Sequence, residues 1–186
     1  MTPVPVPVPV PAPVPATIDD APAIAAIYAH HVAHGTGSYD LEPRSVDATA
    51  AMIADFAAHG WPFLVVRDGD GGLCGYAYAS QFRPRPAYAF ACEDSIYIHP
   101  DWQGQGVGRM LLDALIDAAT AAGFRTMVAV IGGAEPGSIA LHARCGFVHA
   151  GRLAGMGWKH DAWRDNVFMQ RALGDGMATA PTARAP

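Results

Sequence analysis

The sequence carries little positive charge and no long apolar run. Lys and Arg together number 12 against 17 for Asp and Glu, so the formal net charge is −5, and Lys159 is the only lysine. Proteins that bind nucleic acid usually present a basic surface, and we therefore expect no nucleic acid partner. No apolar run approaches the roughly 20 residues that cross a bilayer. We expect a soluble protein that does not act at a membrane.

Cysteine is also scarce. The three cysteines are odd in number, widely spaced and outside any CxxC pattern: Cys74, Cys92 and Cys145. This spacing argues against both a disulfide framework and a zinc site. Reduced, buried thiols are typical of a cytoplasmic protein, which is the localisation that we expect.

Three histidines close together in the sequence are possible metal ligands. His30, His31 and His34 share one predicted helix, and the first and last of them lie on one face. No carboxylate or cysteine completes a ligand set, and HExxH is absent. We interpret the three as a solvated helix face and expect no metal.

The chain divides into a central domain and two ends. Residues 1–13 are a Pro-Val low-complexity segment, 14–173 form one domain, and 174–186 are predicted to be a disordered tail. The first segment lacks the basic region and the proline-free apolar region of a signal peptide. Prolines at alternate positions remove N–H groups from one side only, so the chain after Pro13 is predicted to pair as an edge strand.

Hydrophobic periodicity in the central domain predicts an α/β fold with helices on both faces of a sheet. Helical spacing covers 22–34, 46–59, 107–122 and 138–144, the last capped by Ser138. Strand patterns cover 62–67, 73–81, 90–99, 126–131, 147–153 and 166–173. A loop with Trp158, Lys159 and Trp163 is predicted between the last two strands.

A glycine-rich turn connects the strand ending at His99 to the helix starting at Val107. Free N–H groups at a helix N-terminus and the helix dipole both favour a phosphate there. The dinucleotide pattern GxGxxG fails, because its sixth residue is Arg109 or Leu111. The Gly-Lys-Ser/Thr of a P-loop is absent as well. The residues alone therefore predict an anion site without naming its ligand.

The turn reads Gln103-Gly104-Gln105-Gly106-Val107-Gly108 and matches the (Gln/Arg)-x-x-Gly-x-(Gly/Ala) signature of the GNAT superfamily of N-acetyltransferases. With ACEDSIYIHPDWQGQGVGRMLL, FRPRPAY, VAVIGG, SIALHARCGF and WRDNVFMQRAL, the chain resembles its phosphinothricin and methionine sulfoximine N-acetyltransferase branch over residues 17–173. The resemblance implies the GNAT fold, an α/β structure with a mixed, mostly antiparallel central sheet of about six to seven strands and helices on both faces.

The resemblance also implies acetyl-CoA as co-substrate. Two strands, the one ending at His99 and the one at 126–131, would part to admit the thioester, and the thiol end would be lined by Ser138 and His142. The main chain of Ile96, Tyr97 and Ile98 would pair with the pantetheine arm. The pyrophosphate would lie against the amides of Gln103, Gly104, Gln105, Gly106, Val107, Gly108 and Arg109. One departure is Glu135, where related sequences usually carry Asn.

Acetyl transfer needs a proton acceptor and a proton donor. The resemblance makes Glu93 the general base and His142 the general acid, with Tyr97 a further candidate for the acid. Asp94 should face the opposite side of the strand and is the weaker base. The alternatives are a Glu93 that faces solvent or pairs with an arginine, and a His142 that only packs against a neighbour. We expect the oxyanion to be met by a main-chain N–H near Ile96.

A carboxylate or phosphinate on the acceptor would suit a guanidinium clamp. Arg83 and Arg85 precede the catalytic strand, although two loop arginines can equally be solvated. The resemblance adds Tyr88 and Tyr39 as substrate-lining residues, and either tyrosine can equally be core. It also places the Trp158 to Trp163 loop near a subunit interface and implies a homodimer.

The sequence thus predicts an N-acetyltransferase that acts on the amino group of a small amino-acid-like acceptor such as phosphinothricin, methionine sulfoximine or methionine sulfone. A protein N-terminus or a polyamine is the alternative acceptor. A non-catalytic acyl-CoA-binding module that regulates a partner is the alternative of another class.

Overall fold

The computed structural model describes residues 11–181. Within that range the α-helices are α1 (Ala21–His34), α2 (Val46–Ala58), α3 (Val107–Ala121) and α4 (Pro136–Arg144). The strands are β1 (Val14–Pro15), β2 (Phe63–Arg67), β3 (Leu73–Gln81), β4 (Ala91–Ile98), β5 (Thr126–Gly132), β6 (Val148–Lys159) and β7 (Ala162–Ala172). These bounds agree closely with the predicted elements up to β5.

All seven of these strands belong to one sheet with the order β1-β2-β3-β4-β5-β7-β6. Strands β4 and β5 run parallel, and the other described neighbours are antiparallel. The parallel step needs a crossover, which α3 provides between β4 and β5. The predicted mixed, mostly antiparallel α/β sheet is confirmed.

Two apolar clusters cover the sheet, one on each face. On one face, α3 buries Leu111, Leu112 and Leu115 completely, at spacings that put them on one side of the helix. On the other face, Ile24 and Phe56 belong to the cluster under α1 and α2. The predicted helices on both faces are confirmed.

The second half of the fold corrects three details of the prediction. Strands β6 and β7 extend to a tight turn, so that Trp158 lies opposite Trp163 in a long hairpin rather than in a loop. Lys159 is buried in the hairpin, and its Nζ donates to the Ser38 carbonyl at 2.7 Å. Helix α4 starts earlier than predicted, and its N-cap is Glu135 rather than Ser138.

The ends of the chain are described only in part. The predicted edge strand is present, since Val14 and Pro15 pair with β2. The rest of the Pro-Val segment, residues 1–10, and the last five residues lie outside the described range. Arg125 donates to the carbonyls of Gly176 and Thr179. The predicted domain limits at 13 and 174 stay a prediction.

In residues 11–181, every helix is too short or too polar to cross a bilayer.

Replacing Leu112 with alanine should destabilise the domain by about 2–5 kcal/mol, because a fully buried side chain leaves a cavity in the core that holds α3 on the sheet. The measurement is the free energy of unfolding in urea. Leu41→Ala is the matched control, since Leu41 is 74% exposed and such changes usually cost less than about 0.5 kcal/mol. Equal losses in both variants would contradict this account of the core.

Candidate active site

The site lies where β4 and β5 part. The strands pair from Ala91 opposite Thr126 to Asp94 opposite Ala129. Beyond that point β4 stays paired with β3, and β5 stays paired with β7. A cavity of about 910 Å³ lies in the resulting fork and is also lined by α1, α4 and the turn before α3. The parting of these strands is the one that the family resemblance implied.

One edge of the fork offers unpaired main-chain groups. The N–H of His99 donates to the Cys74 carbonyl on β3 at 2.8 Å. Main-chain groups alternate in direction along a strand, so the groups of Ile96 and Ile98 point into the fork. An extended ligand can therefore pair with β4 as an added strand would.

Tyr97 behaves differently from its two neighbours. It lies opposite Tyr76, and the same alternation directs its main chain to β3. Its ring packs under α1, 5.3 Å from the ring of Tyr28, and burial raises its pKa well above the usual value. Tyr97 lines the cavity, whereas its main chain is directed to β3; the predicted main-chain pairing of Tyr97 with the ligand stays a prediction.

His31 reaches this edge from α1. Its Nε2 lies 2.8 Å from the Ile98 carbonyl oxygen, so this nitrogen must carry the proton that it donates. Burial lowers the pKa of His31, the carbonyl raises it, and the net shift is downward. All three histidines line the cavity. The expected solvated helix face is wrong for His31, which is half-buried, whereas His30 and His34 are exposed.

The glycine turn forms the opposite end of the cavity. Gly104 and Gly106 have φ of +72° and +86°, a left-handed backbone that glycine adopts readily. Gly106 is the N-cap of α3, so the first amides of the helix, from Val107 to Arg109, have no carbonyl partner within it. These amides and the helix dipole form an anion site.

The residues predicted to hold the pyrophosphate, 103–109, face the cavity with their main chain more than with their side chains. Gln103, Gly104, Gly106, Gly108 and Arg109 line the cavity. Gln105 instead turns its side chain to the Asp101 carbonyl at 2.6 Å, and the side chain of Val107 is buried in the core.

Glu93 and Asp94 lie on opposite faces of β4, as the alternation of a strand requires. Glu93 is half-buried, and its carboxylate lies 3.9 Å from Arg83. Burial raises the pKa of Glu93, Arg83 lowers it and Asp94 raises it, with a net upward shift. A carboxylate of this kind is suited to accept a proton near neutral pH.

His142 projects from α4 toward Asp94 on the other face. The His142 Nε2 and Asp94 Oδ2 atoms are 3.0 Å apart, and both side chains are almost completely buried. Burial lowers the pKa of His142, but the hydrogen bond and charge of Asp94 raise it more, and the net shift is upward. Ser138, also on α4, lines the cavity and has its Oγ 3.3 Å from His142 Nδ1.

Tyr39 connects the segment between α1 and α2 to β7 and to the residue directly after β5. Its hydroxyl donates to the Asp165 carbonyl at 2.9 Å and accepts from the Gly133 N–H at 3.1 Å. A Cβ on Gly157 would lie only 2.7 Å from the Tyr39 ring, which explains the glycine there. Tyr39 lines the cavity as predicted, but its hydroxyl is already occupied.

Asn166 is a cavity residue that sequence reasoning missed. It lies opposite Gly132, and the alternation of the strands puts its side chain on the same face as Glu93. Its Oδ1 is buried without a hydrogen-bond partner. The only signal in the sequence is an amide within an otherwise strand-like segment.

Three predicted substrate residues lie outside the cavity lining. Arg83 reaches Glu93 but is half-exposed and stacks on Phe82 at 4.2 Å. Arg85 and Tyr88 are exposed on the same loop, and the Arg85 carbonyl accepts from Gln81 Nε2. The structure therefore brings Arg83 to the site and leaves Arg85 and Tyr88 at its edge.

No three His, Cys, Asp or Glu side chains of residues 11–181 lie close enough together to hold a metal ion.

The arrangement separates two chemical functions. A carboxylate with a raised pKa lies on one face of β4, and a histidine with a raised pKa lies behind the other face. Between them are the free main-chain groups of β4, which can stabilise negative charge on a ligand oxygen. Such a site can move a group between a phosphate-bearing carrier and a nucleophile that loses a proton.

Known proteins are similar to this chain. Residues 25–147 match the model of the Acetyltransferase (GNAT) family. The chain is 48% identical to a phosphinothricin N-acetyltransferase of Alcaligenes faecalis, over 88% of the chain and 83% of that protein. It is 37% identical to an L-methionine sulfoximine/L-methionine sulfone acetyltransferase of Pseudomonas aeruginosa, over 89% of the chain and 96% of that protein.

A solved structure extends the likeness to three dimensions. A GNAT superfamily phosphinothricin acetyltransferase from Sinorhizobium meliloti, solved in complex with acetyl-CoA, superposes with a TM-score of 0.90 at 45% identity. The match covers 92% of each chain.

Proposed function

The chain belongs to the GNAT acetyltransferase family, and we propose that it acetylates the α-amino group of a small amino acid of the phosphinothricin or methionine sulfoximine type. It is an acetyl-CoA-dependent N-acetyltransferase. The observation that carries the proposal is the β4–β5 fork with Glu93 on one face and the Asp94–His142 pair on the other.

The residues of the chain fit acetyl-CoA, which supplies the activated acetyl group. The left-handed glycines at 104 and 106 leave room for a pyrophosphate against the α3 amides, and a Cβ at either position would meet no atom within 4 Å. The free edge at Ile96 and Ile98 suits the amides of a pantetheine arm. We assign Ser138 to the thiol end of the arm.

We assign the general base to Glu93. The acceptor amine must lose a proton to become a nucleophile, and the pKa of Glu93 is raised by burial toward the range in which a carboxylate accepts protons well. The N–H of Ile96 points into the fork and would stabilise the negative oxygen that forms during transfer. His142 would supply the proton that the leaving sulfur requires.

The acceptor subsite lies on the Glu93 face. Arg83 is close enough to Glu93 to hold an anionic group of a substrate bound there, and Arg85 can reach in only if its loop moves. Tyr39 and Asn166, whose amide oxygen is unpaired, form the opposite wall. A subsite with one cation, Arg83, and one free amide oxygen, that of Asn166, matches a small zwitterion better than a polycation.

We further propose a homodimer formed through the β6–β7 hairpin. Leu153, Met156, Trp158 and Trp163 are each 47% to 67% exposed there. Contiguous apolar surface of this kind usually marks a protein interface. A cytoplasmic location is proposed as well, because the three cysteines are buried, widely spaced and outside any CxxC pattern.

Glu93→Gln should lower kcat by about 10²- to 10⁴-fold, because the amide cannot accept the amine proton. The measurement is release of the CoA thiol with phosphinothricin, methionine sulfoximine, methionine sulfone, a polyamine and a peptide N-terminus. Asp117→Asn, an exposed change on α3, is the control. A wild-type protein that binds acetyl-CoA but releases no thiol with any amine would refute the proposed function.

Arg83→Ala should change two properties together. The KM for the amino acid should rise about tenfold, since a charge-assisted hydrogen bond is lost. The acid limb of the pH profile should move to higher pH, because the guanidinium lowers the pKa of Glu93 and the base must be ionised. Arg85→Ala should leave the acid limb in place. An Arg83→Ala enzyme with unchanged KM and unchanged acid limb would rule out the clamp.

Trp163→Lys should convert a dimer to a monomer, because it places like charges on both copies of an apolar surface. The molar mass in solution, measured by light scattering after size exclusion, reports the change. Met177→Lys is the control, since Met177 is 94% exposed and lies beyond the end of β7, outside the proposed apolar surface. A wild-type protein that is monomeric at micromolar concentration would exclude this interface.

A further inference from the structure

The contact between Asp94 and His142 joins two elements that are distant in sequence. Asp94 belongs to β4 and His142 to α4, and the two side chains are 2% and 3% exposed. Their hydrogen bond of 3.0 Å lies at the base of the fork, where β4 and β5 begin to part. The sequence motifs drew attention to His142 but left Asp94 as the weaker of two possible bases.

The hydrogen bonds of His142 define how many protons it carries. Its Nδ1 lies 2.7 Å from the Ser138 carbonyl oxygen, and a carbonyl only accepts, so Nδ1 carries a proton. The Nε2 contact with the Asp94 carboxylate then needs a second proton between the two atoms. The pair therefore holds one proton more than a neutral imidazole, which is available to a reaction in the cavity.

The other groups around the imidazole do not compete for this proton. The Phe147 ring packs edge-on with its centroid 5.0 Å away, and Ser138 is uncharged. On the opposite face of β4, Glu93 is paired with Arg83. Asp94 is thus the charge that faces His142 directly.

The second carboxylate oxygen of Asp94 points to a functional reason for the pair. Oδ1 is buried without a hydrogen-bond partner, which costs free energy that a purely structural pair would avoid. Replacing such a pair with apolar side chains is often neutral or stabilising. Stability alone therefore does not account for this carboxylate in the wall of the cavity.

We propose that Asp94 is a positioning residue for acetyl transfer, which holds His142 doubly protonated and fixed in orientation at the sulfur end of the cavity. The inference rests on the proposed function. As the N–C bond forms and the C–S bond breaks, the amine gives one proton to Glu93. The sulfur takes the Nδ1 proton of His142, which gives up its hydrogen bond to the Ser138 carbonyl, while Nε2 keeps its contact with Asp94. Both residues then exchange protons with water, which restores the starting state.

The Asp94→Asn variant removes the negative charge of the side chain and keeps nearly the same shape. The asparagine can turn its Nδ2 toward Nε2 and keep the contact without the second proton. We expect kcat to fall on the order of 10²-fold, the lower range for loss of acid catalysis, and the basic limb to move down by about 1–3 pH units. The acid limb should also move down slightly, because Asp94 raises the pKa of Glu93.

A double-mutant cycle distinguishes positioning from structure. If Asp94 acts through His142, then Asp94→Asn should change kcat less than about twofold when His142→Gln is already present. Cys92→Ala, a buried change two residues earlier on the same face of β4, is the control and should leave the pH profile unchanged. An equal loss in both backgrounds would overturn the proposal.

The charge of His142 can also be measured in the wild-type protein without turnover. In a ¹⁵N-histidine titration, with the signal assigned by its absence in His142→Gln, both ring nitrogens should stay protonated well above pH 6.5, the ordinary histidine midpoint. A neutral ring at pH 7.5 would overturn the proposal even if Asp94→Asn fails to fold. This readout needs no acceptor, so a failure of the proposed function remains distinguishable.

Discussion

The constraint on which this structure depends is the parting of β4 and β5. A strand with an unpaired edge inside a protein is costly unless its N–H and C=O groups find partners. Here the edge at Ile96 and Ile98 opens into the cavity, and His31 satisfies one carbonyl. The remaining groups are available to a ligand with amides of its own. The fold thus provides a strand-shaped binding site by leaving one position in the sheet open.

The same strand separates the proposed acid from the proposed base. Adjacent residues of a strand point to opposite faces, so Glu93 and Asp94 serve different neighbours although they are consecutive. Glu93 meets Arg83 on the acceptor side, and Asp94 meets His142 behind the sheet. A proton acceptor and a proton donor can therefore lie on opposite faces of one strand without neutralising each other.

The outer strands hold the acceptor side in place. The Tyr39 hydroxyl connects the α1–α2 segment to Gly133, directly after β5, and to Asp165 on β7. It forms one hydrogen bond with the main chain of each residue. Lys159 connects the same segment to the hairpin through the Ser38 carbonyl. Both links are buried or half-buried, so the wall opposite Glu93 is defined by contacts between parts of the chain more than 90 residues apart.

The sequence by itself determined the elements up to β5, the anion site before α3, and the family, because helix spacing, glycine in a tight turn and a contiguous motif are local properties. It also placed Glu93 and His142, through that motif. The tertiary structure decided which side chains meet. The Asp94–His142 contact spans 48 residues, the main chain of Tyr97 is directed to β3, and Arg85 and Tyr88 lie at the edge of the site. The length of the β6–β7 hairpin was likewise set by pairing across strands. Such outcomes depend on register and packing between distant segments, which no local pattern encodes.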